Sequence, residues 1–253
     1  MGKLILVGTP IGNPHDMSIR AFNYLKEAKN IIAENPKDFN KLLNTIGLDK
    51  TNANIMFAHT WPEYIGEEPL IKQAIELLKS GEDVYVVCDA GMPGVADPGS
   101  VLIRECIKEN IFVTSTPGPS AIVVAATITG CGDNFYFGGF ISKDKHLRNL
   151  QLEQTFTNPM PNLFMLINDQ TYITEVLDDL IKKWGDRNGA LCYNLTTSTE
   201  YTVFGRISDL KDHYVKYYGD NEVMLVIDGN MARGFYFGAS SKLTFGSSDN
   251  GPK

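Results

Sequence analysis

The stretch Leu4-Ile5-Leu6-Val7-Gly8-Thr9-Pro10-Ile11-Gly12-Asn13-Pro14-His15-Asp16 decides the fold. Four apolar residues run straight into glycine and proline, which predicts a short, fully buried strand ending in a shaped loop. The run is too short, and stopped too soon by Thr9-Pro10, for a signal peptide. The same grammar returns twice. Val84-Tyr85-Val86-Val87-Cys88 leads into Asp89-Ala90-Gly91-Met92-Pro93-Gly94-Val95-Ala96-Asp97-Pro98-Gly99, and Ile111-Phe112-Val113 leads into Thr116-Pro117-Gly118-Pro119-Ser120-Ala121.

Helical patterns separate these strands. Ser18 is placed to cap a helix with Ile19, Phe22 and Leu25 on its apolar face. Ile31-Ile32-Ala33 reads as a second strand. Residues 67 to 80 carry Leu70, Ile71, Ala74, Leu77 and Leu78 at helical spacing, with Gly81 as the stop. Further helices are expected over about 99 to 109 and from Ser120 to about Thr129. Buried strands alternating with helices predict an α/β fold with a mostly parallel, covered sheet.

At Phe137-Gly138-Gly139-Phe140 the pattern restarts, which suggests a join between two α/β domains. A polar helix near 145 to 156 precedes the strand Leu163 to Ile167. A helix with Ile173, Val176, Leu177, Leu180, Ile181 and Trp184 on one face follows, then strands near 190 to 193 and at Val223 to Ile227. The expected division is 1–138, 139–230 and a tail over 231–253, loose from about 238 onward.

Composition sets the bounds. The formal net charge of −7 over 253 residues argues against a broad nucleic-acid-binding surface, though not against a local basic one. Cys88, Cys106, Cys131 and Cys192 form no CxxC pair and have no histidine at metal-ligand spacing, so they read as reduced core thiols and no metal is expected. No apolar run reaches the roughly 18 residues of a membrane span, and a cytoplasmic location is expected. The sequon Asn194-Leu195-Thr196 then carries no meaning. Dinucleotide, P-loop, nucleophile-elbow and zinc-protease motifs are absent. His15, His59, His146 and His213 offer no His-centred triad.

Each Gly/Pro loop, taken singly, is equally a tight connection between strand and helix. Three of them at the carboxyl ends of parallel strands form a ligand-binding edge. Glycine admits close approach to the backbone, and proline holds the loop's shape. Asp89 and Ser120 are also candidates for turn and helix caps.

The pieces Thr9-Pro10-Ile11-Gly12-Asn13 with Asp16, Asp89-Ala90-Gly91-x-Pro93 running to Asp97-Pro98-Gly99, Pro117-Gly118-Pro119-Ser120-Ala121 and Gly139-Phe140 together resemble the tetrapyrrole methylase superfamily over roughly residues 3 to 229. The nearest resemblance is to the branch that 2′-O-methylates a cytidine of 16S ribosomal RNA. It implies two α/β domains, a homodimer and S-adenosyl-L-methionine in the cleft between domains, released as S-adenosyl-L-homocysteine. It places the donor against Pro10, Asp89, Ala90, Gly91, Asp97, Ser120 and Ala121, with backbone from about Tyr193 to Leu195, including Asn194, and from near Asp228.

A hydroxyl acceptor needs a proton sink. Glu34, following the second strand on the same edge, is the first candidate base, and a solvated strand-end carboxylate is its plain alternative. Asp16 is the second, with helix capping as its alternative. Lys37 is a candidate phosphate contact. So is the cluster Lys143, Lys145, His146 and Arg148, which reads equally as a solvated helix start.

Several positions depart from the ribosomal branch. Glu34-Asn35-Pro36-Lys37 stands where that branch usually has Glu-Asp-Thr-Arg, and Arg and Lys differ at a bidentate phosphate contact. Asn168-Asp169-Gln170-Thr171-Tyr172 replaces Glu-Ser-Pro-His-Arg, and Cys192-Tyr193-Asn194-Leu195-Thr196-Thr197 replaces Ala-Arg-Glu-Leu-Thr-Lys. The branch's usual C-terminal helical appendix has no visible counterpart. The donor loops are kept better than the acceptor side. The reading is therefore a methyltransferase acting on ribosomal RNA or the small ribosomal subunit. The alternatives are a tetrapyrrole-like small molecule or another nucleic acid as acceptor, and a weakly catalytic donor-binding protein that acts through a partner.

Overall fold

The computed structural model describes residues 1–58, 69–97, 99–213, 222–229 and 243–246. His59, Pro98 and most of the stretch from about 238 lie outside the described residues. The chain divides into two compact units, Met1–Ser120 and Ala121–Lys253.

The first unit runs β1 (Lys3–Leu6), α1 (Ile19–Glu27), β2 (Asn30–Ala33), α2 (Pro36–Ile46), β3 (Asn54–Phe57), α3 (Pro69–Ser80), β4 (Val84–Val86), α4 (Ser100–Lys108) and β5 (Phe112–Ser115). Its strands form one sheet in the order β3-β2-β4-β1-β5, every pair parallel. The chain leaves β1 toward β2 on one side and leaves β4 for β5 on the other, so β1 and β4 flank the switch in direction. Both faces of the sheet are buried. Leu4, Leu6, Ile32 and Val86 pack with Ile71, Leu78 and Leu102 on one face. Ile5, Val7, Ile31 and Tyr85 pack with Leu25, Phe39 and Leu43 on the other. Alternate residues of one strand thus feed opposite layers. Each fully buried aliphatic side chain contributes about 1.5–3 kcal/mol.

Ser18 caps α1 as the sequence predicts, its side chain accepting the Ala21 N–H at 3.1 Å. Helix α2 and strand β3 add to the elements expected from the sequence. The signals for α2 are local: Asn35 caps it by accepting the Lys37 N–H at 2.9 Å, Pro36 occupies the first turn, and Gly47 closes it at φ 71°. Strand β3, Asn-Ile-Met-Phe, is a short, half-buried edge strand.

The second unit runs α5 (Ala121–Ile128), β6 (Tyr136–Phe140), α6 (Lys145–Thr155), β7 (Asn162–Ile167), α7 (Gln170–Trp184), β8 (Asn188–Tyr193), β9 (Tyr201–Arg206), α8 (Ile207–Leu210), β10 (Glu222–Ile227) and β11 (Leu243–Gly246). Its sheet has the order β11-β9-β8-β10-β7-β6, with β6 and β7 parallel and the other pairs antiparallel. Phe137–Phe140, expected as an interdomain join, belongs to edge strand β6. Strands β9 and β11 are also additions. β9 extends β8 as a hairpin partner, and Leu243–Gly246, inside the stretch expected as a loose tail, pairs with β9. The core packs α7, through Ile173, Val176, Leu177, Leu180 and Trp184, onto Phe164, Leu166, Leu191, Val223 and Leu225. All four cysteines are buried and free, as expected of reduced core thiols.

Candidate functional site at the strand carboxyl edge of the first unit

The first unit brings the three Gly/Pro loops together at the carboxyl ends of β1, β4 and β5. Loops one and two share a two-way backbone bridge: the Thr9 N–H donates to the Gly91 carbonyl at 2.8 Å, and the Gly91 N–H donates to the Thr9 carbonyl at 3.2 Å. The fully buried Thr9 also donates its hydroxyl to the carbonyls of Cys88 and Gly91 at 3.2 and 3.3 Å. Loop one meets loop three where the Gly8 N–H donates to Thr116 Oγ1 at 2.9 Å.

Glycine is required at this junction. A Cβ on Gly8 would fall 2.8 Å from Gly118 Cα and 2.9 Å from Met92 Sδ, and a Cβ on Gly118 would meet Gly8 Cα and the same sulfur at the same distances. Gly91, at φ 91°, lies between Ile11 and the Pro119 carbonyl. Loop two also contains Ala96 at φ 60°, a conformation L residues adopt reluctantly. Such backbone is stored at functional sites.

Carboxylates ring the loops. The Asp89 N–H donates to Glu34 Oε2 at 3.2 Å, and the Asn35 N–H donates to Asp89 Oδ1 at 3.2 Å. These reciprocal bonds tie the end of β2 to loop two and place Glu34 beside Asp89. Partial burial, then the charges of Glu34 and Asp38, raise the Asp89 carboxyl to about 6, against the pull of the Asn35 hydrogen bond. Asp97 hydrogen-bonds the buried Cys88 thiol, which burial pushes far above its ordinary value, so Cys88 is a neutral packing group. The structure thus gathers Asp89, Ala90, Gly91 and Asp97 with Glu34, and holds loop one, with Pro10, against them.

The remaining candidates lie as follows. Asp16 ends an exposed helical turn, Pro14–Asp16, and its N–H donates to the Asn13 carbonyl. The cap expected of Asp16 is supplied by Ser18. Lys37 is exposed in the first turn of α2. Ser120 immediately precedes α5, which Ala121 opens.

In the second unit, Asn194 and Leu195 are buried in the connection from β8 to β9. Asn194 (φ 49°) and Thr196 (φ 66°) are left-handed there. The Thr196 N–H donates to Glu200 Oε2 at 2.6 Å, and Asn194 Nδ2 donates to Thr199 Oγ1 at 3.2 Å. A β-branched residue at positive φ is an outlier that only a tightly tied loop retains. Asn194 is also too buried to serve as a glycosylation acceptor.

The basic cluster after β6 needs correction. Lys143, Lys145 and His146 are exposed, but Arg148 is 1% exposed. Its guanidinium pairs with Asp179 at 2.8 Å and Glu175 at 3.1 Å and donates to the carbonyls of Ser142 and Lys143, both at 3.2 Å. It holds a corner of the fold and is not a phosphate contact. The Asn168–Tyr172 stretch also has structural work: Asp169 caps α7 by accepting the Tyr172 N–H at 2.7 Å. Sequence reasoning missed two participants at the rim, Asn35 and Met92. Asn35 carries the Asn-Pro signal that a turn shares with a helix start. Met92 carries no local signal.

The family model for tetrapyrrole (corrin/porphyrin) methylases matches residues 3–211. The chain is 33% identical over 230 residues to ribosomal RNA small subunit methyltransferase I of Thermotoga maritima, covering 90% of this chain and 99% of that one. It is equally 33% identical over 230 residues to the protein of the same name from Halalkalibacterium halodurans, covering 90% and 76%. Among solved structures, a diphthine synthase superposes with a TM-score of 0.64 at 18% identity, covering 90% of each chain. The cobalamin-biosynthetic cobalt precorrin-4 methyltransferase superposes with a TM-score of 0.62 at 16% identity, covering 89% of this chain and 94% of that one. The two-sheet fold, the loop grammar at the carboxyl edge and the match over most of the chain agree: this protein belongs to the tetrapyrrole (corrin/porphyrin) methylase family and is an S-adenosylmethionine-dependent methyltransferase.

Proposed function

We propose that the chain 2′-O-methylates a cytidine of 16S ribosomal RNA in the small ribosomal subunit, using S-adenosyl-L-methionine held on the three-loop rim of the first unit. The observation that carries the donor reading is the union of the loops through Thr9, Gly91, Gly8 and Thr116. The acceptor reading rests on relatives named ribosomal RNA small subunit methyltransferase I.

The rim suits this donor in two ways. Its glycines expose backbone for close approach, and Asp89 and Asp97 offer negative charge to a cationic ligand. The donor, when bound, supplies a methyl group activated on a sulfonium, for in-line transfer to a nucleophile. The chain's part is to position the acceptor oxygen, exclude water and take the proton. Pro10, Asp89, Ala90, Gly91, Asp97 and Ser120 are the proposed donor contacts in the first unit, and Ala121, Asn194 and Leu195 those in the second. Glu34 is the proposed base. One of its carboxylate oxygens is fixed by the Asp89 N–H, which orients the group. Asp16 is the second candidate base and Lys37 the proposed phosphate contact. We further propose a homodimer acting in the cytoplasm.

The internal neutralisation of Arg148 and the net charge of −7 favour one other reading, a small-molecule, tetrapyrrole-like acceptor on the same donor site. Calorimetric titration with S-adenosylmethionine, followed by labelled methyl transfer to purified small subunits, separates the two. Binding with transfer to the RNA is the expected result. Binding with transfer only to a tetrapyrrole supports the second reading. Glu34→Gln should lower turnover by roughly 10²–10⁴-fold while leaving donor affinity intact, and unchanged turnover removes Glu34 as the base.

A further inference from the structure

Met92 has no place in that scheme, yet its sulfur sits in the notch at which both glycines face each other. A Cβ on either Gly8 or Gly118 would come within 2.9 Å of Met92 Sδ. The thioether therefore occupies the space that both missing side chains leave. It belongs to loop two, while Gly8 follows β1 and Gly118 lies in loop three. Hydrogen bonds join loop one to loop two at Thr9 and Gly91, and loop one to loop three at Gly8 and Thr116. Met92 adds the apolar contact of loop two with loop three.

We infer that Met92 is a positioning residue: its thioether, wedged from loop two against the place where the Gly8 and Gly118 backbones meet, sets how loops two and three lie against each other, and with it the shape of the donor rim. The inference rests on the donor reading of that rim. An unbranched, polarizable side chain suits the place, because it enters a narrow gap that a β-branched one would have to widen. Truncation would leave the two glycines lining a void that neither can fill, and the dispersion attraction forfeited there returns only if the walls move together. A shift of one loop against another closes that space, and it alters the surface the donor meets.

The test uses the full chain and binding of S-adenosyl-L-homocysteine, which does not react, measured by calorimetry. Met92→Ala should weaken binding about tenfold, a change of about 1.4 kcal/mol. Met92→Leu, which conserves volume, should stay within about twofold of the wild type. A residue that merely fills space would lower the thermal midpoint of the alanine variant yet leave affinity unchanged wherever the chain is folded, and that result overturns the inference.

Should the alanine variant not fold, the wild type is treated with hydrogen peroxide until peptide mapping shows Met92 as the sulfoxide. In that step the thioether sulfur is oxidised and gains one oxygen, and the peroxide is reduced to water. An extra oxygen pressed against the two glycine backbones should weaken binding, while Met92→Leu treated identically keeps its affinity. Undiminished affinity in the oxidised wild type contradicts the positioning role. A wild type that binds no S-adenosyl-L-homocysteine removes the donor reading and this inference together. Normal wild-type binding with an unaffected Met92→Ala removes the inference alone.

Discussion

Two polar corners of this molecule, both at strand-to-helix transitions, are built on opposite plans. At the rim of the first unit, glycine backbones approach within contact distance, backbone groups make the joints, and partly exposed carboxylates stand around them. At the Ser142–Arg148 corner of the second unit, a long cationic side chain turns inward. Glu175 and Asp179, one helical turn apart on α7, bracket it, and two carbonyls complete its hydrogen bonds. The rim leaves its charge open to a ligand, whereas the corner consumes its own. A basic residue beside a helix start is therefore poor evidence of a nucleic-acid contact, whereas a rim of bare backbone between carboxylates is good evidence of a small cationic ligand.

The largest expected effect lies in the corner. Arg148→Ala leaves Asp179, only 12% exposed, without its partner, and should cost about 3 kcal/mol of stability, read as a lower urea midpoint. Donor affinity at the rim should not change. A surface arginine binding phosphate would give the reverse pattern: unaltered stability and weaker binding to small subunits.

A smaller effect, graded by pH, belongs to the rim. Asp89 holds its proton up to about 6, above its ordinary 3.8. The folded chain therefore binds that proton more tightly than the unfolded chain. Its contribution to stability is complete below about pH 4 and is lost as pH rises through about 6. Affinity for a cationic donor should move the other way, increasing as Asp89 ionises through about pH 6. Asp89→Asn should flatten both dependences. Calorimetric titrations between pH 5 and pH 8 read the affinity; equal slopes in wild type and variant would show that Asp89 does not face the donor.

The same comparison explains what the sequence makes legible. The loops of the rim can be read because Gly, Pro and buried-strand patterns are local properties of the backbone. The parallel sheet follows from those strands and the helices between them. Helix α2 is harder to read although Asn35, Pro36 and Gly47 mark its ends, because Asn-Pro opens turns and loops as readily as helices. Strands β9 and β11 depend on a register with their neighbours in the sheet, which periodicity does not reveal. The fate of Arg148 is set by Glu175 and Asp179, about thirty residues away. Met92 is explained only by the meeting of Gly8 and Gly118, which lie 110 residues apart in the chain and touch through the fold. Where function rests on local backbone shape, sequence suffices; where it rests on long-range packing, the structure is needed.

Amide hydrogen exchange, with and without S-adenosyl-L-homocysteine, tests most directly whether the rim holds the donor. Slower exchange at residues 8–12, 89–97 and 116–120 is the predicted result. Protection instead at 28–30, 49–50 and 52–54, which line a hollow of about 500 Å³ beside the amino ends of β2 and β3, with the three loops unchanged, would contradict it.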